Sequence, residues 1–293
     1  MKTLGSLRHR LSTLNKRYLA LPPAIRIVIS TMIICLVVVG TQDFQIFPGA
    51  FFTPGPRRTQ AKNLLPENVE SITVQTTDNE KLETWRFPVA NSKYVAIIFH
   101  GNAGDVANFF VYQKFFASLG ITSYGFDYRG FGISTGWPSE QGLNKDTEAV
   151  LDYVKTREQL TPDRLILVGV SIGAGPASYG ATLVNPKILL LMAPFVSLPE
   201  AIKTVPLFGW LAPLTFYEFP VAKNVEQLKN TCLIVTHGVD DTIIPIAQGR
   251  EVAARHSPPE LTRFLEVEGG GHNDTLPKDH QRIAEAIRSC LKI

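Results

Sequence analysis

Residues 165–175 read Leu165-Ile166-Leu167-Val168-Gly169-Val170-Ser171-Ile172-Gly173-Ala174-Gly175. An apolar, β-branched run ends in Gly-Val-Ser-Ile-Gly, and small residues then open a helix. In that setting a G-x-S-x-G pattern makes a tight strand-to-helix turn that lifts a serine hydroxyl out of the carboxyl end of a sheet. Ser171 is therefore a candidate nucleophile. A serine hydroxyl is weakly nucleophilic at its ordinary pKa, so this reading requires an acid and then a histidine further along the chain. The apolar run Leu233 to Val235 leads into Thr236-His237-Gly238-Val239-Asp240-Asp241, with carboxylates on the loop at a strand's C-terminal end, where open α/β sheets place their sites. Asp241 is the preferred acid and Asp240 the alternative. The last strand-like run, Phe264 to Val267, leads into Gly269-Gly270-Gly271-His272-Asn273-Asp274. His272 is the candidate base, with glycines before it to allow close approach, and Asp274 is read as a solvated loop residue. Upstream, Val95 to Phe99 ends in His100-Gly101-Asn102, a His-Gly turn suited to donating backbone N–H groups to a developing oxyanion. The donors expected are the N–H groups of Asn102 and Ile172. His100 is a rival base, but a residue under such a turn more often holds the loop's shape.

Around these motifs, short β-branched runs alternate with longer amphipathic segments, the pattern of a mostly parallel sheet with helices on both faces. Val69–Thr76 and Leu82–Phe87 flank a turn and read as an antiparallel hairpin at the sheet edge. Strands are expected at 94–99, 122–127, 164–169, 187–192, 232–237 and 263–267, and helices at 106–119, 141–157, 172–183 and 279–291. Residues 195–219, rich in Pro, Leu and aromatics, interrupt the rhythm as an apolar insertion, either a lid or substrate wall or a connecting helix pair.

The chain has 293 residues, 45% of them hydrophobic and 19% charged, enough for a large globular core and unlike a disordered chain. Its net charge of +3 is misleading. Residues 1–42 hold six cations, Lys2, Arg8, Arg10, Lys16, Arg17 and Arg26, and no acid, leaving 23 cations against 26 acids in the rest. The excess belongs to a tail and gives no reason to expect nucleic acid as a partner. After that basic tail (1–23), the run Ala24 to Gly40 is apolar apart from Arg26, so residues 24–46 read as a signal anchor of marginal length; a cleaved signal peptide is the alternative. The positive-inside rule then puts the domain that follows on the non-cytoplasmic side of a single-pass protein. Residues 47–66, with Phe47-Pro48-Gly49 and Pro54-Gly55-Pro56, read as a linker before a catalytic domain at 67–293. Cys35, Cys232 and Cys290 fit no zinc spacing, and the last two read as buried thiols in preference to a bridge. No phosphate loop, dinucleotide fingerprint or metal-ligand cluster is visible, so no cofactor or metal is expected.

Taken together, His100 to Gly104, Phe126-Asp127-Tyr128-Arg129-Gly130-Phe131-Gly132-Ile133-Ser134, the Gly-Val-Ser-Ile-Gly turn, the His237 to Pro245 loop and Gly271 to Asp274 resemble the α/β-hydrolase superfamily. Within it the chain is similar to small membrane-anchored α/β-hydrolase-domain-containing serine hydrolases, over nearly all of residues 69–293. The resemblance implies an α/β-hydrolase fold and a Ser171, Asp241, His272 triad but does not fix the substrate; the apolar insertion beside the site and an anchor at the bilayer favour a small acyl or lipid-like ester or thioester. The resemblance also implies that Asp127 and Arg129 brace the loop near the site as a pair. A peptidase or amidase on the same residues and a catalytically silent, membrane-anchored binding protein are the competing expectations.

Overall fold

A computed structural model describes residues 12–16, 18–52, 65–102, 104–207 and 209–292. The chain divides into residues 1–42 and residues 43–293. The first unit contains helix α1 (Pro23–Gly40), whose start is set by Pro23 at a position where a missing N–H is harmless. Apart from Arg26 it is predominantly apolar, it buries none of its residues, and it is long and apolar enough to cross a membrane. It ends at Gly40, short of the expected residue 46.

Two short helices follow, α2 (Gln42–Ile46), which starts at the last residue of the first unit, and α3 (Pro48–Phe52) in the second unit. The strands of the second unit are β1 (Glu70–Gln75), β2 (Lys81–Phe87), β3 (Val95–Phe99), β4 (Thr122–Phe126), β5 (Leu165–Val170), β6 (Ile188–Met192), β7 (Cys232–Gly238) and β8 (Thr262–Val267). They form one sheet in the order β1-β2-β4-β3-β5-β6-β7-β8. The β1–β2 hairpin and the β2–β4 pairing are antiparallel, and every other pairing is parallel. All residues of β3, β5, β6 and β7 are buried, which explains their unbroken apolar runs: a strand covered on both faces has no polar face to alternate with.

Alternate side chains feed two cores. Ile97, Phe99, Leu167, Leu189 and Val235 pack on one face with helices α5 (Glu140–Glu158), α6 (Ala174–Val184), α8 (Val221–Glu226) and α9 (Ile246–Ala254). Ile98, Ile166, Val168, Leu190 and Ile234 pack on the other with α4 (Phe110–Ser118) and α10 (Thr275–Leu291). The expected insertion holds α7 (Leu198–Lys203) and a 3-10 turn at Gly209–Leu214. It is pinned at both ends: Gln248 on α9 bonds the Val196 N–H and the Glu200 carbonyl, and Glu140 accepts the N–H groups of Glu218 and Phe219.

Two expectations are corrected. Cys232 and Cys290 are bridged, with their Cα atoms 5.9 Å apart, a separation that suits a disulfide. Packing of α10 against β7 brings together residues 58 apart in sequence, which linear spacing does not reveal. The expected linker also fails at its start. Phe47 and Ala50 are buried in the core of the second unit, so Phe47-Pro48-Gly49 turns the chain onto the domain; of the remaining linker residues, 53–64 lie outside the described ones.

Candidate active site

The turn after β5 is built by exclusion of side chains. A Cβ on Gly173 would overlap the Phe99 carbonyl oxygen, and one on Gly169 would lie 2.7 Å from the Gly173 carbonyl oxygen. Without those side chains the turn presses against the end of β3, and Ser171 is left at φ +53°, a left-handed conformation that non-glycine residues adopt only when their surroundings enforce it.

Ser171 Oγ lies 2.9 Å from His272 Nε2, and His272 Nδ1 lies 2.7 Å from Asp241 Oδ2. The loops after β5, β7 and β8 thus bring together three residues spread over 101 positions of sequence. Asp241 Oδ1 accepts the N–H groups of Ile243 and Ile244 at 2.9 and 2.8 Å. Its Oδ2 also lies 3.2 Å from Nε2 of the fully buried His237, which donates to the Ile244 carbonyl at 2.8 Å. Burial opposes the charge on Asp241, but the hydrogen bonds from His237, His272 and Ile244 outweigh it and hold the carboxyl well below the usual carboxylate range. An acid kept ionised there holds the His272 proton on Nδ1 and leaves Nε2 to accept from the serine.

The alternatives fall elsewhere. Asp240 is exposed, its N–H donating to Gly270. Asp274 accepts the Gly271 N–H and pairs with Lys278, so it shapes the histidine loop beyond the solvated role expected for it. His100 is enclosed by Phe109, Tyr128 and Phe131 and bonds the Gly101 carbonyl through Nδ1. Burial pushes it down to about 4.

Asp127 and Arg129 both brace the chain near the site, each through its own partners. Arg129 binds Asp146 at 2.8 Å and Asp78 at 3.0 Å. Asp127 accepts the Val106 N–H at 2.6 Å and faces His100 at 3.8 Å. Burial, together with the nearby Asp105, pushes its pKa well up. Each brace reaches a partner far away in the chain, which the shared Asp-Tyr-Arg motif could not specify.

The residues that the sequence did not announce come from α2 and α3. The Asn102 side-chain amide donates to the Ile46 carbonyl, and a Cβ on Gly49 would overlap the Asn102 carbonyl oxygen. Phe47 packs edge-on against Phe131, Tyr217 and Phe219. Residues just past α1 therefore hold the loop that carries Asn102. The glycine and aromatics were visible in the sequence, but nothing there told their partner.

Ser171, His272 and Asp241 form an arrangement able to deprotonate a hydroxyl and return the proton to a leaving group. A family model described as Serine aminopeptidase, S33 matches residues 90–232. An uncharacterized protein of Mycobacterium tuberculosis is 31% identical over 249 residues, covering 84% of this chain and 85% of that one. Alpha/beta hydrolase domain-containing protein 17C of Xenopus tropicalis is 32% identical over 191 residues, 62% of this chain and 57% of that one. Among solved structures, an α/β hydrolase of Vibrio vulnificus superposes with a TM-score of 0.64 at 19% identity, covering 91% and 95% of the two chains. The Pyrococcus furiosus esterase Pf2001 superposes with a TM-score of 0.62 at 20% identity, covering 75% and 92%. Sheet order, nucleophile turn and these relatives agree that the chain belongs to the α/β-hydrolase superfamily and is a hydrolase of that type.

Proposed function

We propose that the protein is a membrane-anchored serine hydrolase that cleaves carboxylic esters or thioesters through an acyl-Ser171 intermediate. The observation that carries this reading is the continuous hydrogen-bonded chain from Ser171 through His272 to Asp241, with Ser171 on a strained turn at the end of the sheet. His272 Nε2 takes the Ser171 proton as Oγ attacks the acyl carbonyl, and the backbone N–H groups of Asn102 and Ile172 receive the oxyanion, each worth about 3 kcal/mol in comparable sites. His272 then protonates the leaving alcohol or thiol, and a water activated by the same nitrogen releases the acid. A peptide-amine substrate would need a carboxylate to receive its ammonium group. Asp241, which reaches the serine through His272, is committed to two backbone N–H groups and His272.

The anchor is α1, with the catalytic domain on the non-cytoplasmic side. The cation excess before α1 supports this orientation. So does the Cys232–Cys290 bridge, because such bonds persist in oxidising compartments.

The test is labelling of the full chain in detergent by a fluorophosphonate, which reacts with activated serines, followed by turnover of p-nitrophenyl esters. Labelling lost in Ser171→Ala and in His272→Ala supports the reading. A folded wild-type protein that neither labels nor turns over esters overturns it and brings forward the silent binding protein.

A further inference from the structure

Large apolar side chains are exposed on the second unit where separate stretches of chain meet. Residues 204–217 contain no charged residue, yet within them Leu207 is 88% exposed, Phe216 74% and Trp210 56%. Trp137, 55% exposed, packs against Phe44 and Phe51 with ring centroids 5.9 and 4.6 Å away. One carboxylate ties the stretches together. Asp43 accepts the Trp137 indole N–H at 2.7 Å on one oxygen and the Tyr217 hydroxyl on the other. An uncharged apolar surface of this kind marks an interaction site.

We propose that Phe44, Trp137, Leu207, Trp210 and Phe216 form a membrane-contact surface that seats in the lipid headgroup and upper acyl region. The proposal rests on the reading of α1 as an anchor. Chain length selects lipid as the occupant. Asp43 follows Gly40, the last residue of α1, by three residues, and three residues of fully extended chain reach about 10 Å. The side chain that joins Trp137 to Tyr217, the last residue of the uncharged stretch, therefore stays within that distance of the point where an inserted helix leaves the bilayer. The chemistry agrees. The two exposed indole N–H groups are satisfied inside the protein, by Asp43 and by the Leu207 carbonyl at 3.1 Å, so the rings can turn apolar surface outward. Tryptophan is the side chain most at home in that interfacial layer.

Tryptophan fluorescence tests the proposal directly, because the chain has three tryptophans and the third, Trp85, is 1% exposed in the core. The full chain is reconstituted into phosphatidylcholine vesicles with and without a lipid carrying a doxyl quencher high on its acyl chain. Flotation after an alkaline wash establishes first whether the protein is inserted. The expected result is quenching by the doxyl lipid that falls in Trp137→Phe and in Trp210→Phe and vanishes in the double variant, which retains only Trp85. Inserted protein whose exposed tryptophans are quenched by aqueous acrylamide and not by doxyl lipid overturns the proposal while leaving the anchor standing. Inserted protein quenched by neither also overturns it, in favour of a protein covering the patch. Protein that fails to float overturns the anchor, and the proposal falls with it.

Discussion

Replacement of Asp241 by asparagine tests the hydrogen-bond geometry more sharply than removal of any other side chain. Oδ1 of Asp241 receives two backbone N–H groups, from Ile243 and Ile244. An asparagine there must keep its carbonyl oxygen in that position, because turning the amide over would set its NH₂ against two donors. The NH₂ group is then forced into the place of Oδ2, 2.7 Å from His272 Nδ1 and 3.2 Å from His237 Nε2. To meet it, His272 must present an unprotonated Nδ1 and carry its proton on Nε2, the nitrogen 2.9 Å from Ser171 Oγ. The base then faces the serine as a donor. In a Ser-His-Asp site the corresponding tautomer inversion lowers turnover by about 10⁴-fold, or about 5.5 kcal/mol of barrier. The assay is kcat/KM on p-nitrophenyl acetate together with the rate of fluorophosphonate labelling, with circular dichroism to show an unchanged fold. Asp240→Asn, at an exposed neighbour, should stay near wild type. An Asp241→Asn enzyme within tenfold of wild type, or a large loss in Asp240→Asn, would refute the reasoning.

Two further predictions follow from groups around the site. Gly49→Val should push the Asn102 loop away from its braced position and lower kcat by about 10²–10³-fold, the range seen when one oxyanion donor is lost, with KM little changed. Affinity for a boronic acid, which mimics the tetrahedral adduct, should fall in parallel, and full activity in this variant would show that α2 and α3 do not set the loop. His100 supplies a pH-dependent stability term. Its folded-state value lies at about 4 because of burial, below the unfolded value of about 6.5, so its contribution is complete above pH 6.5 and is lost as pH falls towards 4, amounting to roughly 3 kcal/mol. Thermal unfolding between pH 7 and 4 should therefore show a shallower acid loss in His100→Gln than in wild type; parallel curves would exclude the assignment.

Much of the domain was legible because its physics is local. β3, β5, β6 and β7 are buried on both faces and so appear as uninterrupted apolar runs. The serine turn announces itself through two glycines whose Cβ atoms have no room. Ser171 and Asp241 were found because each follows such a strand, and His272 because glycines precede it after the last, partly buried strand β8. The predicted last helix begins at Asp279, and the structure has its backbone break there, one helical turn after the helix starts at Thr275. What escaped depends on distant partners. Gly49 and Phe47 look like turn residues until Asn102 and Tyr217 are placed beside them. The Arg129 partners, Asp78 and Asp146, lie on either side of it in sequence and outside its motif. Helix α9 was missed because it follows the acid loop at once and is only nine residues long.

Under the proposed anchoring by α1, the brace on Asn102 also bears on how the domain would be shed. A protease that freed the domain by cutting after residue 52 would leave Ile46 and Gly49 on the anchor side of the break, so the released fragment would depart without the backbone that holds its Asn102 loop. A cut just before Asp43 would release a domain that keeps it. If the Asn102 loop receives the oxyanion as proposed, shedding at the first place would silence the enzyme and at the second would disperse it, two opposite outcomes set by a shift of about ten residues in the cleavage point.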